Sequence, residues 1–95
     1  MIASFGNGRT EAVFRRDRVP AFAPEVQEAA YRKLMLIHAA TVLESLRVPP
    51  GNRLEALKGD RAGQHSIRVN RRWRICFRWR DGRAFGVEIV DYHRG

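Results

Sequence analysis

The longest periodic segment of the chain begins at Pro24-Glu25, where a proline and an acidic residue suit the first turn of a helix. From there, apolar side chains recur at helical spacing and form one wide stripe over roughly five turns. We therefore predict an amphipathic helix over residues 24–43, and Pro49-Pro50-Gly51 ends the helical region. The stripe has two adjacent rows, with Ala30, Leu34, Ile37 and Thr41 in one and Ala29, Leu36, Ala40 and Leu43 in the other.

Two shorter elements are predicted before this helix. Residues 1–5 form a short apolar segment that stops at Gly6-Asn7-Gly8, a turn signal, and we predict a first strand there. Thr10, followed by an acidic residue, is typical of a helix start. A short helix is therefore predicted over residues 12–16, with Thr10 as its N-cap. Val19-Pro20 ends that helix.

The second half of the chain alternates between apolar and polar residues with period two, which is typical of strands. Asn70-Arg71-Arg72 and Asp81-Gly82 interrupt the alternation, and the second of these is a strong hairpin turn. We therefore predict three successive antiparallel strands. Their apolar faces carry His65, Ile67 and Val69 on the first, Trp73, Ile75, Phe77 and Trp79 on the second, and Phe85, Val87, Ile89 and Asp91 on the third.

Helices followed by a meander of strands predict an α+β fold. The helix over residues 24–43 is the only predicted element large enough to cover the apolar face of the sheet. The opposite face is then rich in arginine and is a candidate surface for binding an anion. Alternation places together on it Arg68, Arg74, Arg78, Glu88 and Tyr92.

Length and charge narrow the class of protein. The chain has 95 residues, which suits a single domain over residues 1–95 with one hydrophobic core. Its formal net charge is +8 and is unevenly spread. Residues 1–50 carry 7 Lys/Arg and 5 Asp/Glu, a net of +2, whereas residues 51–95 carry 11 Lys/Arg and 5 Asp/Glu, a net of +6. A basic half of this kind points to a polyanionic partner, most often nucleic acid.

Several other classes are excluded. No apolar run is long enough to span a membrane, and the first residues do not form a secretory signal, so we expect a cytoplasmic protein. Cys76 is the only cysteine, which excludes an internal disulfide and a cysteine-based zinc site. It lies within a predicted strand, and we expect a structural role for it. His38 has no partner at metal-ligand spacing, so a structural role is expected there too.

Three segments give the chain a family resemblance. They are the stretch from Pro49 to Arg61 with Leu57-Lys58-Gly59-Asp60, the strand Ser66-Ile67-Arg68-Val69 followed by Trp73-Arg74-Ile75-Cys76-Phe77, and the ending Val87-Glu88-Ile89-Val90-Asp91-Tyr92-His93. Together with the start, Met1-Ile2 and Ser4-Phe5, they resemble the HigB-type toxins of the RelE/ParE superfamily. The resemblance covers nearly the whole chain. The order of Leu-Lys-Gly-Asp, Trp-Arg-Ile and Asp-Tyr-His makes it highly specific.

The resemblance implies a RelE-like fold, a mainly antiparallel four-stranded sheet packed against two N-terminal helices. It also implies the toxin of a type II toxin–antitoxin system, which cleaves messenger RNA in the ribosomal A site without a metal ion or other cofactor. The expected partners are messenger RNA, the ribosome and a small helix-turn-helix antitoxin of the HigA type. The antitoxin holds the toxin inactive, and operator DNA is contacted only through it.

Metal-free RNA cleavage requires that the ribose 2′-hydroxyl loses a proton, that the leaving 5′-oxygen gains one, and that the phosphate charge is stabilised. His93 is the candidate for proton transfer, because imidazole titrates near neutrality, and Asp91 would orient it. Tyr92 offers a ring on which a base can stack, and Arg74 and Lys58 would contact the phosphate. The residues predicted to bind the RNA backbone are Arg61, Arg68 and Arg78.

The sequence departs from the family at one position. Some HigB toxins carry a histidine three residues before the lysine of Leu-Lys-Gly-Asp, where this chain has Glu55. Either Glu55 serves as the base, or the hydroxyl is activated by positioning alone. His65 is a further candidate, but its place in the alternation predicts a packing role.

Two other functions are open on the same residues. A ParE-like toxin binds and poisons DNA gyrase with the same fold, so the fold alone does not exclude it. Gyrase binding, however, has no need of the Asp91-Tyr92-His93 cluster. A non-catalytic RNA-binding module would account for the basic face without cleavage.

Overall fold

The computed structural model describes residues 1–92. Within them, the order of elements is α1 (Gly8–Phe14), α2 (Pro24–Ala39), β1 (Glu55–Ala56), β2 (His65–Arg68), β3 (Trp73–Arg80) and β4 (Arg83–Asp91), with 3₁₀ turns at Leu43–Arg47, Pro50–Asn52 and Gly59–Arg61. The four strands form a sheet in the order β1-β2-β3-β4, and each neighbouring pair is antiparallel. The predicted α+β fold, with two helices and a four-stranded sheet, is confirmed.

Helix α2 covers one face of the sheet, as predicted. Ala30, Leu34 and Ile37 are fully buried, and they share the core with the inward side chains of the sheet, Ile67, Ile75, Phe77, Val87 and Ile89. Among residues 1–92, no helix has both the length and the apolarity needed to cross a bilayer.

The predicted end of this helix is wrong. Helix α2 ends at Ala39, because Ala40 adopts an extended conformation with ψ of 133°. Leu46, at 1% exposure, instead reaches the core from the 3₁₀ turn Leu43–Arg47. The β-branched pair Thr41-Val42 separates the two elements and is unfavourable in a helix. Apolar periodicity does not distinguish a following turn from a continuing helix.

Asn7, and not Thr10, caps helix α1, which corrects the prediction. Oδ1 of Asn7 accepts hydrogen bonds from N and Oγ1 of Thr10, at 3.0 and 2.7 Å. The helix consequently begins at Gly8, earlier than predicted. Thr10 is fully buried inside it, and its Oγ1 accepts from N of Ile89 at 2.9 Å. This hydrogen bond ties α1 to β4.

Residues 1–5 do not form the predicted first strand. They run along the edge of β4 and make two isolated parallel bridges, Ile2 with Ala84 and Phe5 with Val87. The fourth strand of the sheet is β1, whose two residues are too few to produce a detectable alternation. Between the two bridges of residues 1–5, the Oγ of Ser4 accepts a hydrogen bond from N of Gly86 at 2.9 Å. This side-chain bond takes the place of a backbone bond there and helps to explain why the two bridges do not join into a strand.

Strand β4 contains a bulge. Between its pairings with Cys76 and Arg78 of β3, β4 carries one residue more than its partner. Gly86 lies at this point, and its φ of +61° is the left-handed conformation that a G1 bulge requires. The bulge shifts the alternation, so Phe85 pairs with Arg78 on the face away from the helices. The prediction that Phe85 shares the apolar face of β4 is therefore wrong, and Ala84 is buried in the core instead.

The bulge yields a prediction about stability. Gly86→Ala should lower the free energy of unfolding by about 1–2 kcal/mol, because a side chain disfavours a left-handed backbone. Steric overlap is not involved, since an added Cβ would meet no atom within 4 Å. Gly51→Ala is the matched control, because its Cβ also meets nothing and its φ is not positive. Urea denaturation of both variants measures the difference. Equal losses would show that the bulge does not depend on the conformation of Gly86.

Candidate active site

A cleft of about 450 Å³ opens on the sheet face away from the helices. Lys58, Arg61, Asp91 and Tyr92 line it, and all four are among the predicted site residues. The rest of its lining consists of Leu57, Asp60, Ser66, Cys76 and Val90. The fold thus brings side chains from the middle and the end of the chain into one cleft.

A second cavity, of about 500 Å³, adjoins the cleft at Tyr92, which lines both. Tyr92 is 51% exposed and is therefore accessible to a ligand. Four arginines make this cavity strongly cationic. Its full lining is Arg53, Arg68, Asn70, Arg71, Arg74 and Tyr92.

Arg74 is the buried cation of the site, with 5% of its surface exposed. Its Nε donates to Oγ of Ser66 at 2.9 Å, and its Nη2 donates to the carbonyl of Arg53 at 2.9 Å. A carboxylate oxygen of Glu55 lies 3.3 Å from the same Nη2. The guanidinium also stacks on Tyr92, 4.8 Å from the ring centroid. These contacts fix the orientation of the guanidinium, and Glu55 offsets part of its charge.

Asn52 holds the backbone that supports Arg74, a role that the periodicity of the sequence does not reveal. The residue is fully buried. Its Nδ2 donates to two carbonyls of the preceding turn at 3.1 and 3.3 Å, and its Oδ1 accepts from Nζ of Lys33 at 2.5 Å. Burial, with added repulsion from Arg32, lowers the pKa of Lys33. The available signal was Pro49-Pro50-Gly51 immediately before the asparagine, a context in which its side chain often bonds the backbone.

Lys58 and Arg61 flank the turn that borders the cleft. Arg61 is engaged by the protein, since Nη2 donates to Glu88 at 2.9 Å and Nη1 to Gln64 at 3.0 Å. Lys58 is exposed, and within residues 1–92 its ammonium takes part in no hydrogen bond or ion pair. Lys58 is therefore the cation of this cleft that a phosphate can approach without displacing a protein partner.

The predicted RNA-binding arginines do not all lie at the same place. Arg68 pairs with Arg74 across β2 and β3, and its Nε donates to the carbonyl of Asn70 at 3.0 Å. It lines the second cavity, as Arg74 does. Arg78 lies further along β3 and lines a separate cavity of about 240 Å³ with Gly63, Trp79, Arg80 and Phe85.

The C-terminal cluster is described as far as Tyr92. Oδ2 of Asp91 accepts from Nε of Arg72 at 3.0 Å, and N of Tyr92 donates to the carbonyl of Arg72 at 2.7 Å. These two bonds fix the path of the chain as it leaves β4. His93 lies outside the described residues, so its role in proton transfer stays a prediction.

The other two histidines have structural surroundings. Nδ1 of His38 accepts from N of Ile2 at 3.1 Å, which fastens the first residues to the end of α2. The ring of His65 lies 6.1 Å from that of Phe77. These contacts agree with the structural role expected for His38 and the packing role expected for His65, and neither histidine lines the two cavities that Tyr92 shares.

Cys76 lies at the base of the cleft and is buried. Burial raises the pKa of its thiol, which keeps it protonated at neutral pH and makes it a poor nucleophile. Within residues 1–92, no group of three histidine, cysteine, aspartate or glutamate side chains is arranged to hold a metal ion.

The sequence and the fold are similar to those of bacterial toxins. The family model described as "RelE-like toxin of type II toxin-antitoxin system HigB" matches residues 4–93. The chain is 37% identical over 95 residues to Toxin HigB-1 of Vibrio cholerae serotype O1, covering 99% of each protein. It is 31% identical over 93 residues to Endoribonuclease HigB of Proteus vulgaris, covering 98% of this chain and 100% of that protein. Its fold is similar to the crystal structure of a YafQ mutant from E. coli, with a TM-score of 0.63, 12% identity and coverage of 99% and 97%.

The support of Arg74 yields a second stability prediction. Ser66→Ala should lower the free energy of unfolding by about 1–3 kcal/mol, because the buried Nε of Arg74 loses its acceptor. Ser45→Ala makes the same chemical change at an exposed position and should stay within about 0.5 kcal/mol of the wild type. Chemical denaturation of the two variants measures both values. A Ser66→Ala protein as stable as the control would mean that Arg74 does not need this hydrogen bond.

Proposed function

This chain belongs to the HigB family of RelE-like toxins from type II toxin–antitoxin systems and is an endoribonuclease, and we propose that it cleaves messenger RNA in the ribosomal A site. The observation that carries the proposal is the stacking of Arg74 on the exposed Tyr92, where a cleft that presents the exposed Lys58 adjoins a cavity lined by four arginines. A fixed guanidinium beside an accessible ring offers both contacts that an unstacked nucleotide needs.

The proposed reaction is an attack of the ribose 2′-oxygen on the adjacent phosphorus. The bond from phosphorus to the 5′-oxygen breaks, which leaves a cyclic phosphate on one fragment and a 5′-hydroxyl on the other. Lys58 lines the cleft and Arg74 lines the adjoining cavity, so we place the phosphate beside Tyr92, where the two cavities meet. There the two charges would stabilise the extra negative charge of the transition state. In this arrangement no resident metal ion is needed to stabilise that charge.

We assign the two proton transfers to different groups. His93 would donate the proton that the leaving 5′-oxygen takes up. Glu55 is the candidate base for the 2′-hydroxyl, because its carboxylate lies beside Arg74 at the edge of the site. A carboxylate is a weak base for a hydroxyl group, so positioning of the 2′-hydroxyl would supply much of the rate.

Action on the ribosome agrees with the open shape of the site. Both cavities lie on an open sheet face, and the described side chains offer cations and a ring but do not enclose a strand of RNA. A messenger held in the A site would already have its backbone ordered, so the toxin need add only the charges and the proton donor. We accordingly place the protein in the cytoplasm, with messenger RNA and the ribosome as its partners and residues 1–95 as one toxin domain.

Control by an antitoxin completes the proposal. The family implies a partner of this kind, and we propose a small helix-turn-helix protein of the HigA type. It would cover the arginine-lined face or prevent entry into the ribosome by its bulk. Operator DNA would be contacted by the antitoxin and reached by the toxin only through it.

His93 provides the sharpest test of the mechanism. His93→Gln should slow single-turnover cleavage on programmed ribosomes by about 10²–10⁴-fold, the usual value of general acid–base catalysis. The measurement spans pH 5.5–8.5, because loss of an imidazole should also remove its limb from the pH–rate profile. His65→Gln is the control, since that ring packs on Phe77 outside the cleft.

Two results would contradict this assignment. Cleavage by His93→Gln within about threefold of the wild type would transfer the acid role to Tyr92 with Lys58. A wild-type toxin that leaves ribosome-bound messenger intact, but inhibits supercoiling by gyrase, would replace ribonuclease activity with the ParE-like function.

The antitoxin proposal has its own test. Expression of the toxin alone should arrest growth, and co-expression with the helix-turn-helix protein encoded beside it should restore growth. Pull-down of the pair checks that a complex forms. Growth arrest that persists in the presence of a stable complex would show that this partner does not control the toxin.

A further inference from the structure

The tip of the β3–β4 hairpin carries a cluster of exposed arginines away from the cleft. Arg80 pairs with Arg83, and Arg78 pairs with Phe85, so these four side chains share the face opposite the helices. All three arginines are exposed. The Asp81-Gly82 turn has positive φ at both residues, 53° and 75°, which is the tight geometry that keeps the two strands in this register. We call these four residues the hairpin cluster.

Two of the arginines are already ordered. The guanidinium of Arg80 lies over Phe85, 5.0 Å from the ring centroid. Nη1 of Arg78 occupies the space beside Gly63, where an added Cβ would come within 2.8 Å of it. Long exposed side chains normally lose rotamer freedom when they bind, and side chains that are already held in place lose less. Arg78 and Arg80 are therefore partly positioned by the fold before a ligand binds.

The charge of the hairpin cluster is not neutralised by the fold. Within residues 1–92, no carboxylate forms an ion pair with Arg78, Arg80 or Arg83. Arg80 and Arg83 lie directly opposite each other, and like charges in that position destabilise a strand pair. Asp81, the exposed carboxylate of the turn, forms no ion pair with these arginines in the described part of the chain, and it leaves the hairpin tip with a net charge of +2 that an anionic ligand can neutralise.

The hairpin cluster is separate from the cleavage site. Arg74 and Arg80 are about 20 Å apart along β3, at roughly 3.3 Å per residue. Glu88 lies between them on the same face, where it pairs with Arg61 at 2.9 Å. This ion pair interrupts the positive row, so the strand that is cleaved does not have a continuous cationic path to the hairpin.

We propose that the hairpin cluster is a second RNA contact, which binds the sugar-phosphate backbone of ribosomal RNA while the cleft holds the messenger. The inference rests on the proposed function, because a toxin that acts on the ribosome would gain from this cluster a ribosome contact that does not involve the cleaved messenger. Planar guanidinium groups suit phosphate oxygens, and the outer face of Arg80, stacked on Phe85, suits an unpaired base. An acidic protein segment would use the charge but would leave the stacked face unexplained.

The test compares two triple variants that remove the same net charge. One carries Arg78→Gln, Arg80→Gln and Arg83→Gln, and the control carries Arg15→Gln, Arg32→Gln and Arg47→Gln on the helical side. Binding to vacant ribosomes without messenger is measured against KCl concentration, beside binding to a single-stranded RNA with a 2′-O-methyl group at each position. The hairpin variant should bind ribosomes about tenfold or more weakly, and its salt slope should fall by about 0.7 for each phosphate that it no longer neutralises.

The control variant should bind ribosomes as the wild type does, and the hairpin variant should be at least as stable as the wild type, because a like-charged pair has been removed. Equal weakening by both triple variants would overturn the proposal, since it would reflect overall charge. So would wild-type ribosome affinity in the hairpin variant, or an equal loss on the single-stranded RNA, which would make the cleaved strand the occupant.

Two further arms separate the remaining explanations. Loss of antitoxin binding with intact ribosome binding would make the hairpin cluster a protein interface and overturn the proposal. In single-turnover cleavage, the hairpin variant should raise the half-saturating ribosome concentration, and a loss confined to the maximal rate would also overturn it. If the wild type binds ribosomes but does not cleave messenger, the proposed function fails, and the binding arms still test the hairpin.

Discussion

A guanidinium buried within the sheet governs the arrangement of the open face. Removing a charge from water costs several kcal/mol unless hydrogen bonds and an opposite charge replace the solvent. For Arg74, these come from Ser66 on β2, the carbonyl of Arg53 and the carboxylate of Glu55 on β1. Strand β1 has only two residues and little backbone pairing of its own. The need of the guanidinium for partners therefore holds the 53–56 segment against the sheet.

The same requirement links the cleft to the helical layer. Lys33 of α2 donates to Asn52, and Asn52 fixes the turn from which Arg53 offers its carbonyl to Arg74. Arg74 in turn supports the ring of Tyr92. A site on an open face has no surrounding walls to orient its side chains, so it depends on supports that reach it through the sheet and around its edge. Rigid support of this kind is what positioning catalysis requires.

Periodicity predicts the elements whose side chains must be buried, and it is silent about the rest. Helix α2 and strands β2 to β4 all contribute buried apolar residues to the core. The helical period therefore predicted α2, and the alternation of period two predicted the strands. At Gly86 the alternation assigns side chains to the wrong face of β4, because the bulge adds one residue and moves Phe85 to the other face. The composition of the strand gives no sign of this shift. The sequence predicted Thr10 as the helix cap where the structure has Asn7, because both residue types suit that position. Thr10 is instead buried in the helix, where its hydroxyl accepts a hydrogen bond from N of Ile89, a tertiary contact that the local sequence does not show.

The site was predicted in part, for a related reason. The family resemblance pointed to Lys58, Arg74 and Tyr92, and the fold brings them to adjoining cavities. Alternation gave the face on which Arg74 lies but not its depth, since burial depends on partners from other elements. Asn52 was missed because it acts through two backbone carbonyls and through the ammonium of Lys33, which is 19 residues away in the sequence. The sequence marks such a residue only by the turn-forming residues before it, Pro49-Pro50-Gly51, and by no pattern of charge or periodic spacing.

The net charge of +8 is consequently a poor guide to where RNA would bind. Within residues 1–92, six arginines form ion pairs with carboxylates, and these are Arg15, Arg16, Arg47, Arg61, Arg72 and Arg74. A cation that is already paired releases fewer counter-ions on binding, so it contributes less to salt-dependent affinity. Nine arginines of residues 1–92 form no such pair, and six of these lie either in the cavity beside Tyr92 or at the hairpin tip. These six would contribute most to the attraction. Arginines that are paired or buried fix the geometry of the site, whereas exposed arginines without ion pairs provide the electrostatic attraction for a polyanion.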